Sequence, residues 1–305
     1  MLRCIVNSTV LGLMVGLVVA ASAPSAGYAA GKPLVVATTT DLADFTRQVG
    51  GDKIDVFCTL KAGEDPHFVR PTPSAQRMVS QARLFIQTSL DLETWAPTLL
   101  EGARNPNLMV LTATKGVRPL EKPAGGVSPA QGDVHPSGNP HVFHDPTNAK
   151  IAVSNILGGL IAILPQDRDY LTQRARRYLE TLDAKAREWQ RTMAPCANKK
   201  LVSYHRSWPY LAAEYRVDFI GEVEPMPGIP PSAQSLARLI KAMKAEGVKV
   251  LVTQPFYPRK SADSVARQTG AKVVVLAGYP GASPGTDTYI AMMDYNVKAL
   301  SETLR

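Results

Sequence analysis

The chain has 305 residues, 45% hydrophobic and 20% charged, with a formal net charge of +8 at neutral pH. Lysine and arginine are scattered, and no run of basic and aromatic residues forms the stripe that a nucleic-acid groove needs. The length admits two compact domains, and only one apolar run, at the N-terminus, comes near the length of a membrane span.

That run opens the chain. Arg3 is the only charge in the first thirty residues, and it precedes VLGLMVGLVVAASA and a small-residue stretch ending AGYAAGKP. A span needs roughly 20 apolar residues, and this run has about 14. The pattern is that of a secretory signal peptide, residues 1–29, cleaved after Ala29. Cys4 precedes the apolar run, so no lipid anchor is expected. The remaining chain is expected to be exported, soluble and monomeric, with a charge of about +7 (8 − 1). It keeps two cysteines, Cys58 and Cys196, without CxxC spacing. Export makes a disulfide chemically possible, but they sit at the edges of different units, and two buried thiols are the other reading.

Residues 34–39, LVVATT, read as a buried strand followed by a helix over DLADFTRQVGG. KIDVFCTL is a second strand, PTPSAQRMVSQA a helix with proline at its start, RLFIQTS a third strand and NLMVLTA a fourth. Strands alternating with helices indicate a parallel α/β sheet. Residues 117–138, VRPLEKPAGGVSPAQGDVHPSG, are rich in Pro and Gly without periodicity and read as an exposed, mobile loop.

A helix over 147–163 follows, then a long one over 166–194 flanked by Pro165 and Pro195. Its apolar positions, Leu171, Ala175, Tyr178, Leu182, Trp189 and Met193, step by three, four and seven. At 1.5 Å per residue it spans roughly 40 Å, which suits a rigid spacer. A second series follows: strand LVSYH, helix PYLAAEY, strand RVDFIGEV, helix SAQSLARLIKAMKAEG, strand VKVLVTQP, helix SADSVARQTG, strand AKVVVL and helix TYIAMMDYNVKALSETL. The fold class is α/β, two Rossmann-like lobes with parallel sheets joined by one long rigid helix. The N-terminal lobe is expected at 30–164, the linking helix at 165–195 and the C-terminal lobe at 196–305.

The five histidines are His67, His135, His141, His144 and His205. His67 follows a strand in GEDPHFVRPTPS, His205 follows one in SYHRSWPY, and His141 and His144 sit in NPHVFHDP where the loop ends. Open α/β sheets bind ligands at the C-terminal ends of their strands, so these clusters are placed to converge on one cleft. Neutral imidazole suits zinc and other late first-row ions. HExxH, GxSxG, P-loop and GxGxxG motifs are all missing, and Ser203, Ser207 and Asp145 read as caps and strand-end hydrogen-bonding groups.

The ordered segments VVATTTDLADFTRQVGGDKIDV, GEDPHFVRPTPS, NPHVFHDPTNAK, YHRSWPYLAAEYRV, VEPMPGIPPSAQSLARLIKAMKAEGVKVLV and TYIAMMDYNVKAL resemble the metal-binding solute receptors of bacterial ABC importers, the zinc and manganese class. The resemblance runs from about residue 34 to the C-terminus. It implies two lobes, a rigid linking helix, one metal in the interlobe cleft and a periplasmic location. The implied partner is the membrane permease of an importer. The implied ligands are His67, His141 and His205. His144 falls where the family carries an apolar residue and is expected to be a neighbour, a supporting group or a transient ligand. Imidazole at His205, where many manganese receptors carry Glu, favours zinc, Zn2+, over the harder ion.

The sequence departs from the family in three places. No acid follows the last strand in VVVLAGYPG, which leaves water, Glu222, Glu224 or Asp287 for the fourth position. Gln254 stands where relatives often carry Glu, and the loop before His141 holds only His135 instead of a His-rich stretch. The expected function is capture of Zn2+ for an importer. The alternatives are a manganese or other divalent-metal receptor of the same type, a three-His zinc hydrolase, or a surface-interaction protein in which the metal is structural.

Overall fold

The computed structural model describes residues 31–125, 135–226 and 228–305. The expected export signal and the middle of the 117–138 loop lie outside the described residues. Two sheets of the same topology account for the strands. The first contains β1 (Leu34–Ala37), β2 (Asp55–Cys58), β3 (Leu84–Gln87) and β4 (Met109–Thr112), in the order β2-β1-β3-β4 and parallel throughout. The second contains β5 (Lys200–Ser203), β6 (Asp218–Glu222), β7 (Val250–Thr253) and β8 (Lys272–Val275), in the order β6-β5-β7-β8, again all parallel. The central strands read as apolar runs because helices cover both faces: Val35, Val36, Leu84, Phe85, Ile86, Leu251 and Val252 are fully buried.

The helices are α1 (Thr40–Gly50), α2 (Pro73–Gln81), α3 (Ala96–Ala103), α4 (Pro146–Ile163), α5 (Arg168–Met193), α6 (Pro209–Tyr215), α7 (Ala233–Ala245), α8 (Arg259–Thr269) and α9 (Tyr289–Leu304). The strand expected over 34–39 stops at Ala37 because Thr39 takes the N-cap position of α1. The long helix is shorter than its prolines suggest, since Pro165 and Pro195 each sit in a 3-10 turn at its ends. Among the described residues, no helix is long and apolar enough to cross a membrane. Cys58 and Cys196 are free thiols, one in each lobe, and burial pushes the Cys58 thiol up to about 12.

One continuous core runs through both lobes. Leu171, Ala175, Tyr178, Leu182, Trp189 and Met193 are the buried residues of α5. They join a cluster that also holds Val35, Phe45 and Ile156 of the first lobe and Leu201, Val250 and Tyr289 of the second. Phe45 meets Phe143 and Tyr289 edge-on, at centroid distances of 5.5 and 5.0 Å. The Trp189 indole donates to Asp294 Oδ1 at 2.7 Å, tying α5 to α9. Because this stripe links the lobes, Leu182→Ala is expected to cost about 2–5 kcal/mol of global stability. A urea transition should show this as one cooperative shift, with Arg176→Ala, on the solvent face, within about 0.5 kcal/mol of the parent.

Candidate metal site

His67 lies in a 3-10 turn, Pro66–Phe68, in the loop that follows β2. Asp65 caps this turn: its Oδ1 accepts from the His67 backbone N–H at 3.1 Å and from ring Nδ1 at 2.7 Å. The Trp95 indole donates to the Pro66 carbonyl at 2.9 Å and anchors the turn from α3's side. With Nδ1–H committed to a carboxylate, the His67 Nε2 lone pair is the one turned to the cleft.

His141 precedes another 3-10 turn, Val142–His144, that leads into α4. Asn139 organises this stretch. Its Oδ1 accepts from the His141 N–H at 3.0 Å, and its Nδ2 donates to the Arg206 carbonyl at 2.8 Å. Asn139 thus ties the His141 segment to the loop that carries His205. Tyr210 reinforces the link, its hydroxyl donating to the Asn139 carbonyl and accepting from the Leu120 N–H. His205 follows β5 by two residues, its ring centroid 5.6 Å from that of Tyr257.

The three imidazoles converge from three chain segments, one after β2, one before α4 and one after β5. Ring centroids are 5.2 Å apart for His67 and His141, 5.4 Å for His67 and His205, and 5.6 Å for His141 and His205. One ring nitrogen from each lies within 4.8 Å of the other two. A tetrahedral zinc with Zn–N of about 2.0–2.1 Å holds its nitrogens roughly 3.4 Å apart, so a small inward shift fits the triad to such an ion. All three rings are buried. Burial, with the neighbouring imidazoles adding to it, holds His141 well below the usual histidine range. Burial also lowers His205 against the opposing pull of Glu224. Both rings are therefore neutral at physiological pH, which is the form that donates to a metal.

The acids named for a fourth position are dispersed. Asp287 is exposed, and Glu222 is engaged by Arg206 at 3.3 Å. Glu224 is buried beside the site, its Oε1 3.6 Å from His205 Nδ1 and accepting from the Gly228 N–H at 2.8 Å. Tyr279 follows β8, its hydroxyl 3.5 Å from His141 Nδ1. Gln254 is buried and points at Gly278, where a Cβ would collide with its amide.

His144 lies outside the converging group. Its ring lies against Trp208 at a centroid distance of 4.5 Å. The fifth histidine is closer than the sequence suggested. His135 is buried, with its ring 5.4 Å from that of His67. Its Nδ1 lies 3.1 Å from the carbonyl oxygen of Asp91. That carbonyl belongs to an unusual turn: Ser89, Leu90 and Asp91 all have left-handed backbones, with φ of 72°, 55° and 62°. None is glycine, and such residues cost roughly 1–2 kcal/mol each. Buried Glu93 holds the turn, accepting from the Thr88 and Ser89 N–H groups at 2.7 and 2.8 Å and from the Thr38 hydroxyl at 2.6 Å.

Comparison with known proteins follows the same line. The family described as ZnuA, the periplasmic component A of zinc-uptake complexes, matches residues 35–303. The chain belongs to this family. It is 28% identical over 277 residues to the high-affinity zinc uptake system protein ZnuA of Bacillus subtilis, covering 88% of this chain and 87% of that one. It is 27% identical over 280 residues to the zinc-binding lipoprotein AdcA of Streptococcus pneumoniae, covering 90% of this chain but 56% of that longer protein. In fold it is similar to a crystal structure of ZnuA, with a TM-score of 0.77 at 24% identity over 90% of this chain and all of that one. A periplasmic metal-binding protein from Candidatus Liberibacter asiaticus gives 0.75 at 22% identity over the same shares.

The buried neutral His144 has a consequence for the zinc-uptake component without metal. Burial takes its pKa from 6.5 down to about 3. The unfolded chain therefore binds the extra proton first. The contribution to stability is complete above about pH 6.5 and is lost as pH falls towards 3, with a slope of up to about 1.4 kcal/mol per pH unit. In His144→Phe, which keeps an aromatic face on Trp208, the fall in unfolding free energy between pH 6 and 4, read from urea transitions, is expected to be shallower by up to about 1.4 kcal/mol per pH unit.

Proposed function

We propose that this chain is a periplasmic receptor that captures Zn2+ between its lobes through His67, His141 and His205 and delivers it to the membrane permease of an ABC importer. The observation that carries the reading is the convergence of three buried imidazoles, from three separate chain segments, to within 4.8 Å. Membership of the zinc-uptake family supports the cargo and the importer. A donor set of nitrogen alone favours zinc over manganese, which prefers oxygen.

In this reading residues 1–29 direct export, 30–164 and 196–305 form the lobes, and 165–195 is the spacer between them. The receptor acts as a monomer. Capture needs rings without protons, and burial keeps His141 and His205 in that form. The Asp65 and Glu224 carboxylates beside the rings offset the charge of the incoming cation. The shared core around α5 limits relative motion of the lobes, so release proceeds by loosening a ligand rather than by wide opening. The chain binds its ion without turning over a substrate. Ester hydrolysis and carbon dioxide hydration by the zinc-loaded protein should stay at the level of free zinc.

Metal-stripped protein titrated with zinc against a chromophoric chelator is expected to take up one tight equivalent. His67→Ala, His141→Ala and His205→Ala should each weaken binding by about 100-fold or more, given roughly 10–16 kcal/mol shared among the ligands of a structural zinc. His144→Ala should change the affinity far less. Weak binding, or several equivalent sites, would refute the zinc reading.

A further inference from the structure

We propose that His135 is the fourth ligand of the captured ion, completing with His67, His141 and His205 a site of four imidazoles. The proposal rests on the receptor reading above and concerns how that site is closed. The His135 ring is as far from His67 as the triad rings are from one another, 5.4 Å against 5.2, 5.4 and 5.6 Å. It is buried to the same degree, at 9% exposure beside 6%, 6% and 5% for His67, His141 and His205. Its Nδ1 faces the Asp91 carbonyl at 3.1 Å. A carbonyl is only an acceptor, so Nδ1 carries the proton and the lone pair sits on Nε2, at the opposite edge of the ring. Bonding one imidazole nitrogen to a backbone carbonyl is how proteins aim the other at a metal.

The fixture behind His135 is a built one. The Asp91 carboxylate also accepts from the Ser137 N–H at 2.8 Å, and the Gly138 N–H closes on the His135 carbonyl at 3.1 Å. The turn presenting Asp91 runs through three left-handed residues, kept there by buried Glu93. Strain of this kind persists only where the surroundings over-determine it, and such places cluster at ligand clamps. Here the strained turn offers the Asp91 carbonyl to His135 Nδ1, and that ring lies beside the ring of His67.

A fourth imidazole has chemical consequences. It removes the open coordination position that a zinc hydrolase keeps for water. It makes the donor set uniformly nitrogen and so disfavours magnesium, calcium and manganese.

The test is X-ray absorption at the zinc edge on the protein loaded with one equivalent, beside a zinc titration of His135→Ala. Four imidazole nitrogens are expected in the parent. In the variant three should remain with one oxygen, and affinity should fall about 100-fold or more with the stoichiometry still one, as for the other direct ligands. In His135→Asp a carboxylate oxygen should replace the fourth nitrogen and recover part of the affinity. Cobalt(II) offers a second readout: an intense tetrahedral spectrum in the parent that changes in both variants. Three imidazoles in the parent, with affinity and cobalt spectrum unchanged in His135→Ala, would overturn the proposal while leaving the triad receptor intact. A parent that takes up no stoichiometric zinc would overturn both.

Discussion

The distance between the lobes is set by the buried stripe of α5, and the imidazole cluster depends on that distance. Leu171, Ala175 and Tyr178 at one end of the stripe and Leu182, Trp189 and Met193 further along belong to one core with residues of both sheets. Interiors of this kind are close-packed, so they resist continuous deformation. His67 hangs from the first sheet and His205 from the second, with His141 on the segment between. Had the lobes been joined by a flexible strand pair, the three rings would share a cleft only part of the time. With the stripe buried, the cost of assembling the site is met during folding and not at the moment of binding.

Burial and site chemistry are two sides of the same arrangement. Taking an imidazole out of water disfavours its charged form, and three neighbouring imidazoles disfavour it further in one another. The protein has gathered groups that repel if protonated and that leave polar atoms buried, His141 Nε2 among them. Such a cluster is a poor way to stabilise a fold and a good way to hold a cation. The flanking carboxylates fit that view: Asp65 and Glu224 each lie against a ring, where they orient it and supply negative charge without entering the convergent group.

How much of this could be read beforehand differs from element to element. The strands and most helices were legible because apolar runs, proline starts and glycine stops mark them. The six buried positions of α5 follow directly from its periodicity. Helix α3 was not: it ends on Arg104 in a left-handed conformation, where a glycine would have signalled the stop. His67, His141 and His205 were legible because each follows a proline turn or a strand end. The position of His135 was not, because it depends on the left-handed turn at Ser89–Asp91, which contains no glycine and is held by a glutamate from the same loop. The role of Asn139 in bridging the segments of His141 and His205 was equally hidden, since it is a contact across 67 residues of chain.

Rigid capture raises the question of how such a site lets go. A site made only of strand-end groups on a fixed frame would hold its ion until the frame itself yielded. The described residues flanking the triad are held in a different way. They are pinned by polar contacts: Leu120 to Tyr210, Glu121 to Arg206 in a two-bonded ion pair, and Ser137 to Asp91. Arg206 neighbours His205, and half of its side chain is exposed, so its ion pair with Glu121 is within reach of a docking partner. Exposed ion pairs contribute little to global stability. The two kinds of contact differ in cost: the apolar stripe that positions the triad is costly to disturb, and the partly exposed polar contacts at Leu120, Glu121 and Ser137 are not.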